Sequence, residues 1–262
     1  MVAVVVFEFS VMRCQPLRRA LAYRGYMEHR MQKIRAYSKA MVSRLIVADR
    51  KIALLSPLVK NSDLIAKWDN SYGAHGLELM RITMYLDLVR ELAAISFDRS
   101  SKSPSIFNIL ELLKSKPLLD SLKSDYCQPT PISWVTNVDP DSRAFWEAKH
   151  KERELEEKSK KFFEHYRTAK AAFSELKNKD IYTKMRNVRN KLVAHYEMRK
   201  VGSEPRLADP SDFDLKWGDV EIYFEEIKPI IVELVLLISN EAYALDLYRE
   251  DHDKIAREFW EK

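Results

Sequence analysis

Long stretches of Leu, Ala, Lys, Glu and Arg, seldom interrupted by glycine or proline, constrain the fold of this chain most. The 262 residues contain only 5 glycines and 10 prolines, which is few for the many tight turns of a sheet or barrel protein. Apolar residues recur at spacings of three and four over most of the chain, as they do on the buried face of a helix. Because 46% of the residues are hydrophobic, the chain can also bury a core. The sequence therefore predicts an all-α fold.

Apolar spacing and helix-breaking residues divide the chain into helical segments. The predicted segments are 17–55, 62–97 with a kink at its middle, 105–113, a short helix from 117, 143–177, 181–198, and 214 or 219 to the C-terminus. Residues 1–11 are instead rich in Val and Phe and are expected to form a strand or an apolar h-region. Gly202, Pro205 and Pro210 predict a loop after the segment 181–198. The whole pattern predicts an up-and-down helical bundle.

The distribution of charge divides the chain into two predicted parts. The formal net charge is +5, but residues 13–51 contain eleven Arg and Lys against only Glu28 and Asp49, so the rest of the chain is slightly acidic. We therefore interpret residues 1–55 as a basic N-terminal arm or helix, and residues 56–262 as a helical domain. Internal methionines leave open a later start of translation, in which case roughly the first 30 residues are not native.

The basic arm and a charged helix are the candidate interaction surfaces. The amphipathic helix of the arm could bind RNA or an anionic membrane surface, or it could be a solvated or packing helix, and the sequence leaves these alternatives open. Residues 147–161 are almost wholly charged, with Leu155 as the lone large apolar residue. This composition predicts a long helical extension that carries salt bridges and projects into solvent.

Several classes of protein are disfavoured by the sequence. Cys14 and Cys127 are far apart and lack the spacing of a zinc site, so we expect free thiols in a reducing, cytoplasmic compartment. No apolar run reaches the roughly 18 to 20 residues that span a bilayer. The chain also lacks H-E-x-x-H, a cluster of carboxylate ligands and a glycine-rich phosphate loop. We therefore expect neither a membrane span nor a metal or other cofactor.

The segment from Met185 to Tyr196 carries the residues that we expect to do chemistry. Arg189, Asn190 and His195 lie close together in a sequence whose apolar residues form a helix face. Cleavage of RNA without a metal needs a base, an acid and a cation that stabilises the phosphorane. Histidine can act as the base or the acid near neutral pH, and arginine binds phosphate in a bidentate manner. Asparagine can orient either group through its amide.

Regular helix geometry does not bring Arg189 and His195 face to face. Six residues along an α-helix advance roughly 9 Å and leave the two side chains about 120° apart. A frayed helix end would reduce this separation, whereas a symmetric dimer would place Arg189 of one chain beside His195 of the other. We favour the homodimer.

Arg189-Asn190 followed by His195, late in a chain of helices, resembles the signature of the HEPN superfamily. The segments 77–97, 103–113 and 189–197, together with the ending AREFW at 256–260, are similar to abortive-infection proteins of the AbiU type, over roughly residues 60–260. The resemblance implies a helical bundle that dimerises around a composite site. It also implies a metal-independent endoribonuclease active in phage defence or as a toxin, with an antitoxin or other regulatory protein as a candidate partner.

The resemblance assigns roles to individual residues. It implies that Arg189, Asn190 and His195 are catalytic, and we expect RNA contacts from Lys184, Arg186, Lys191 and Tyr196.

Two alternatives remain open at the level of sequence. In the first, Arg189 forms an internal ion pair with Glu175 or Glu226, and His195 is a buried structural residue. In the second, the protein is a non-catalytic helical module that binds a protein or nucleotide partner through the charged helix 147–161.

Overall fold

The described part of the chain is almost entirely helical, which confirms the predicted all-α fold. A computed structural model describes residues 8–69, 71–130, 139–193, 198–201, 204–207 and 213–261. Its helices are α1 (Glu8–Lys60), α2 (Ser62–Ala66), α3 (Tyr72–Phe97), α4 (Ile106–Leu113), α5 (Lys116–Tyr126), α6 (Pro140–Asn178), α7 (Asp180–Val188), α8 (Trp217–Ser239) and α9 (Leu245–Glu261). Between α7 and α8 lie a π-helix, called the π-turn below (Arg189–Val193), and two short strands, β1 (Met198–Val201) and β2 (Glu204–Leu207). Among these helices, none is long and apolar enough to cross a membrane.

Helix α1 contributes one face to the core of the bundle. Ile34, Met41 and Leu45 are fully buried and lie at the spacing of a single helix face. This face packs against α3, α8 and α9. The helix continues without a break through the boundary predicted at residue 55 and ends at Lys60.

Of the two structures expected for residues 1–11, a strand or an apolar h-region, the strand is wrong where these residues can be compared with the structure. Residues 8–11 belong to α1, whereas residues 1–7 lie outside the described residues. β-Branched residues cost a helix only a few tenths of a kcal/mol each. Once a helix exists, each added residue also gains a backbone hydrogen bond. The long helix that follows therefore outweighs the local strand preference.

Helix α8 lies at the centre of the bundle, between α1 and α6. Ile227, Ile231 and Leu234 are fully buried, as its strongly apolar sequence predicts. Pro229 lies inside the helix and does not divide it, although the sequence predicts a kink or a new start there. The helix ends at Ser239 and is capped by Asn240, whose φ of 53° is left-handed, a conformation that asparagine tolerates better than most residues.

Helix α9 is fixed to α1 by a buried polar contact. Nδ1 of His252 lies 2.7 Å from Oδ2 of Asp49, and both residues are buried. The other carboxylate oxygen of Asp49 pairs with Arg249 at 2.8 Å. Farther along, Nε1 of Trp260 donates a hydrogen bond to the carbonyl oxygen of Leu54. The C-terminal residues thus dock on the bundle, as their apolar side chains suggest.

The predicted helix 181–198 and the loop after it are wrong in part. The α-helix ends at Val188, the π-turn follows, and Met198 already belongs to β1. β1 pairs with β2 in an antiparallel register that sets Val201 opposite Glu204. In the sequence only Gly202 and Ser203 separate these strands, a dipeptide typical of two-residue hairpins. The helical spacing of apolar residues masks this signal.

Helix α6 contains the charged extension predicted for residues 147–161. The side chains of this part are mostly exposed, and ion pairs join Arg143 to Glu147 and Lys158 to Glu154. The extension is also held from outside, because Glu154 accepts hydrogen bonds from both the backbone and the hydroxyl of Thr130. These contacts lower the pKa of Glu154 to about 2, with the Lys158 hydrogen bond as the largest cause.

Candidate functional site

Helix α7 presents one buried face and one polar face. Tyr182, Met185 and Val188 are buried, and their spacing of three places them on one side of the helix. The ring of Tyr182 packs edge-on against Phe97 of α3 and Phe173 of α6, with ring centroids 5.3 and 6.4 Å apart. Burial raises the pKa of the Tyr182 phenol. These contacts fix the position of α7 and therefore the position at which the π-turn begins.

Arg189 is the first residue of the π-turn. A π-helix forms hydrogen bonds between residues five apart, is rare, and is often found at functional sites. The separation expected for Arg189 and His195 assumes regular α-helical winding, so it does not apply here. Ala194, His195, Tyr196 and Glu197 lie outside the described residues. The catalytic role of His195 and the RNA contact of Tyr196 therefore stay predictions.

The guanidinium of Arg189 bonds to a neutral acceptor. Nη1 of Arg189 donates a hydrogen bond of 3.0 Å to Oδ1 of Asn190. Arg189 is half-buried and Asn190 is exposed. An amide oxygen orients a guanidinium without neutralising it. The pair can therefore present a positive charge to an anionic ligand.

The ion pair that would have given Arg189 a purely structural role is not formed. Lys179 takes both of the carboxylates considered for it, at 2.6 Å from Glu226 and 4.0 Å from Glu175. The hydrogen bond to Glu226 is the largest cause of a raised pKa of Lys179. Among the carboxylates that the structure describes, none pairs with Arg189. Its charge is not compensated by a described residue.

A family comparison adds an independent observation. The HEPN family model described as AbiU2 matches residues 31–259. The chain belongs to the AbiU2 family of HEPN proteins. The match begins at residue 31, whereas the resemblance noted in the sequence begins near residue 60, so most of α1 is part of this family's fold. No curated protein and no solved structure matches the chain.

The predicted RNA-binding lysines of this AbiU2-family protein are partly engaged. Nζ of Lys184 lies 3.2 Å from Asp214 and 3.3 Å from Asp180. The hydrogen bond with Asp214 is the largest cause of the raised pKa of Lys184. Nζ of Lys191 lies 6.0 Å from the ring centre of Phe213. The charge of Lys184 is therefore largely compensated, and that of Lys191 is held beside an aromatic ring.

Arg186 is the predicted RNA contact whose charge is least compensated. It is exposed, and no carboxylate in the described part of the chain pairs with it. Its charge acts on the phenol of Tyr182 together with that of Arg99, a residue from the loop after α3. Arg99 is not among the site residues expected from sequence, because nothing local links residue 99 to residue 186.

Metal ligands are scarce in the described residues. No group of three His, Cys, Asp or Glu side chains there could hold a metal ion. Cys127 is a free and buried thiol, and burial raises its pKa.

Proposed function

We propose that this AbiU2-family protein is a metal-independent endoribonuclease that acts in abortive infection or as a toxin. The observation that carries the proposal is the state of Arg189. Its guanidinium lies at the start of a π-turn, bonded to Asn190 and to no carboxylate in the described part of the chain. A HEPN chain with this uncompensated arginine suits the binding of a phosphodiester that gains charge in the transition state.

The proposed reaction is a transesterification within the RNA strand. The 2′-oxygen loses its proton to a base and attacks the adjacent phosphorus, and the bond from phosphorus to the 5′-oxygen breaks. The leaving oxygen takes a proton, which gives a 2′,3′-cyclic phosphate and a free 5′-hydroxyl. His195 supplies one of the two proton transfers, Arg189 stabilises the phosphorane, and Asn190 orients Arg189.

The proposed active species is a homodimer, as is common for HEPN proteins. An exposed apolar stripe on α3 supports it. Tyr72, Leu79 and Ile82 lie on one face with heptad-like spacing, and they are 100, 68 and 42% exposed. A two-fold axis near such a stripe would let two copies cover it.

The π-turn packs against α3, the helix that carries the stripe. Phe97, at the end of α3, contacts Tyr182 at the beginning of α7. Tyr85, at the middle of α3, donates a hydrogen bond to the carbonyl oxygen of Leu215, and the neighbouring Asp214 pairs with Lys184 of α7. A partner that covers the stripe would therefore contact the same helix that supports α7 and the π-turn.

Cleavage of RNA in EDTA tests the proposal. We expect the wild-type protein to cut RNA with EDTA present and to leave cyclic phosphate ends. Arg189→Ala and His195→Ala should each lower the rate by at least about a hundredfold, the usual effect of removing a transition-state contact or a general acid or base. Arg153→Ala, at an exposed site on α6, is the matched control and should cleave at the wild-type rate.

The contrary results are distinct. Cleavage that survives both substitutions in proteins of wild-type helicity would rule out this site. A wild-type protein that cuts no RNA, yet binds a protein or nucleotide partner through residues 147–161, would identify the non-catalytic module instead. Charge reversal in that part of α6 would then abolish partner binding, whereas Arg189→Ala would not.

A further inference from the structure

Positive charge extends from the polar face of α7 onto the loop after α3. Phe97, two residues before Arg99, packs against the ring of Tyr182 with the ring centroids 5.3 Å apart, and Arg186 follows Tyr182 by one turn of α7. The charges of both arginines oppose the rise in the pKa of the Tyr182 phenol that burial causes. Two arginines from separate elements therefore lie around one tyrosine. Both are exposed, and neither pairs with a carboxylate that the structure describes.

The loop that carries Arg99 is held in a fixed shape. Nδ2 of Asn108 donates hydrogen bonds to three loop carbonyls, those of Asp98, Ser100 and Ser103, at 3.2, 2.6 and 2.8 Å. The guanidinium of Arg99 lies 5.1 Å from the ring centre of Phe107. An ordered loop presents its charges at a low entropic cost of binding. Lys102, which is exposed in this loop, is presented in the same way.

Helix α1 continues the positive surface beyond the loop. The hydroxyl of Tyr37 donates a hydrogen bond of 2.5 Å to the carbonyl oxygen of Ser101. Nζ of Lys33 lies 5.3 Å from the centre of the Tyr37 ring. Tyr37 thus contacts both Lys33 of α1 and the loop that carries Lys102, so the positive charge continues from one element to the next.

The surface ends where α1 meets the start of α5. Nη1 of Arg30 donates a hydrogen bond of 3.1 Å to Oγ of Ser115, the residue before Lys116. The same guanidinium lies 5.6 Å from the ring centre of Tyr26, which is 56% exposed. An exposed ring beside an arginine is a surface on which a nucleobase can stack.

No carboxylate that the structure describes pairs with these cations. Of the acidic residues nearby, Glu111 pairs with Lys114 and Asp98 accepts a hydrogen bond from the backbone of Ser100, while Glu28 and Asp120 are exposed. Other cations of α1 are paired, as Arg35 is with Asp125 and Arg44 with Glu91. The uncompensated cations from α7 to α5 form what we call the basic track: Arg30, Lys33, Arg99, Lys102, Lys116 and Arg186.

The residues of the track suit a nucleic-acid strand better than a membrane surface. A helix binds a membrane surface by inserting a free apolar face, but the apolar face of α1 from Ile34 onward is buried in the core. The track offers cations and an exposed ring instead. Phosphates spaced along a strand, with bases free to stack, match both features.

We propose that the basic track binds single-stranded RNA and leads it to Arg189. The substrate class rests on the proposed function, whereas the binding surface is assigned from the contacts above. The Tyr26 ring and the Arg30 guanidinium beside it stack with bases, and the other cations of the track bind the phosphates.

Binding to a fluorescein-labelled oligouridine of about 20 nucleotides tests the track. The protein is full-length His195→Ala in EDTA, so that cleavage does not interfere. The triple substitution Lys33→Gln, Arg99→Gln and Lys102→Gln should weaken binding at least about tenfold at low salt. It should also lower the slope of log K against log salt by about 2, for three lost phosphate contacts. Unchanged helicity and melting temperature show that the triple variant is folded.

A triple variant on α6 is the matched control. It removes the same number of Lys and Arg charges from exposed sites that are not part of the basic track. These are Lys151→Gln, Arg153→Gln and Lys160→Gln, which should bind within about twofold of the parent. Equal loss in both triple variants, or none in the track variant, would overturn the proposal. Tighter binding to phosphatidylserine vesicles than to RNA would overturn it too. If RNA binding follows these expectations but the wild-type protein does not cleave RNA, the nuclease function is refuted and the binding surface is not.

Discussion

The positive charge of Arg189 is not compensated by the next residue, because the side chain of Asn190 is an amide and not a carboxylate. The hydrogen bond to Oδ1 of Asn190 holds the guanidinium in one orientation. A carboxylate in that place would form a shorter, charge-assisted hydrogen bond and neutralise the arginine. The residue after Arg189 therefore decides whether this cation is available to a phosphate.

Asn190→Asp tests this role with a change of almost no volume. We expect the new carboxylate to pair with Arg189 and lower RNA cleavage by about tenfold to a hundredfold, because the guanidinium no longer stabilises the phosphorane. The free energy of unfolding in urea should change by less than about 0.5 kcal/mol, since the site is exposed. Initial cleavage rates and urea denaturation measure the two effects.

Asn178→Asp provides the control for a general effect of negative charge. It adds the same charge at an exposed position at the end of α6, and cleavage should stay within about twofold of wild type. Wild-type activity in Asn190→Asp would show that Asn190 does not control Arg189.

The sequence indicates what chemistry a single side chain is able to do, but it does not indicate which residues that side chain contacts. Arg189 and His195 are candidate site residues because an arginine side chain suits phosphate binding and a histidine side chain suits proton transfer. The bond between Arg189 and Asn190 depends on the local winding of the chain. The pairing of Lys179 with Glu226 depends on how α8 packs. The approach of Arg99 to Tyr182 joins residues that are distant in sequence.

At the scale of elements, apolar periodicity predicted the α-helices well and the segment around the site poorly. The buried faces of α1 and α8 follow the expected spacing because packing in the core imposes it. The π-turn and the β1–β2 hairpin follow directly after α7, where a periodicity of 3.6 residues continues to suggest a helix. The sequence therefore fails where the backbone changes its winding beside Arg189, which is where a functional site is expected to depart from regular structure.

The exposed stripe of α3 is the element for which dimerisation makes a definite prediction. Leu79→Asp places a charge at the centre of the proposed two-fold interface. Because a two-fold contact repeats each substitution, we expect a loss of about 4 kcal/mol, or roughly a thousandfold in Kd. Sedimentation velocity at micromolar concentration should find a dimer for the wild type and a monomer for Leu79→Asp.

Leu155→Asp is the matched control on α6. Leu155 is also more than half exposed, at 52%, and has no part in the proposed interface, so this variant should remain dimeric. A Leu79→Asp protein that sediments as a dimer would exclude the α3 stripe as the contact. A wild-type protein that is monomeric at all concentrations would exclude the dimer itself.

At the scale of the whole molecule, the long helices hold together parts of the chain that would act on one ligand in the proposed function. α1 joins the basic track to the core, and α9 locks onto α1 through Asp49 and His252. α3 carries the exposed apolar stripe at one end and leads into the loop of Arg99 at the other. In the proposed assembly, RNA would lie along the track of one chain and reach a site to which two chains contribute.

Mixing two inactive variants tests whether the site is shared between chains. If Arg189 of one chain acts with His195 of the other, a heterodimer of Arg189→Ala and His195→Ala contains one site with both residues intact. Random exchange makes half of the dimers heterodimers, each with one working site of two, so we expect about a quarter of wild-type cleavage. Each variant alone should stay inactive. Heterodimers that are verified by two affinity tags and still fail to cleave would mean that Arg189 and His195 act within one chain. The two-fold site would then be wrong even where the nuclease activity is real.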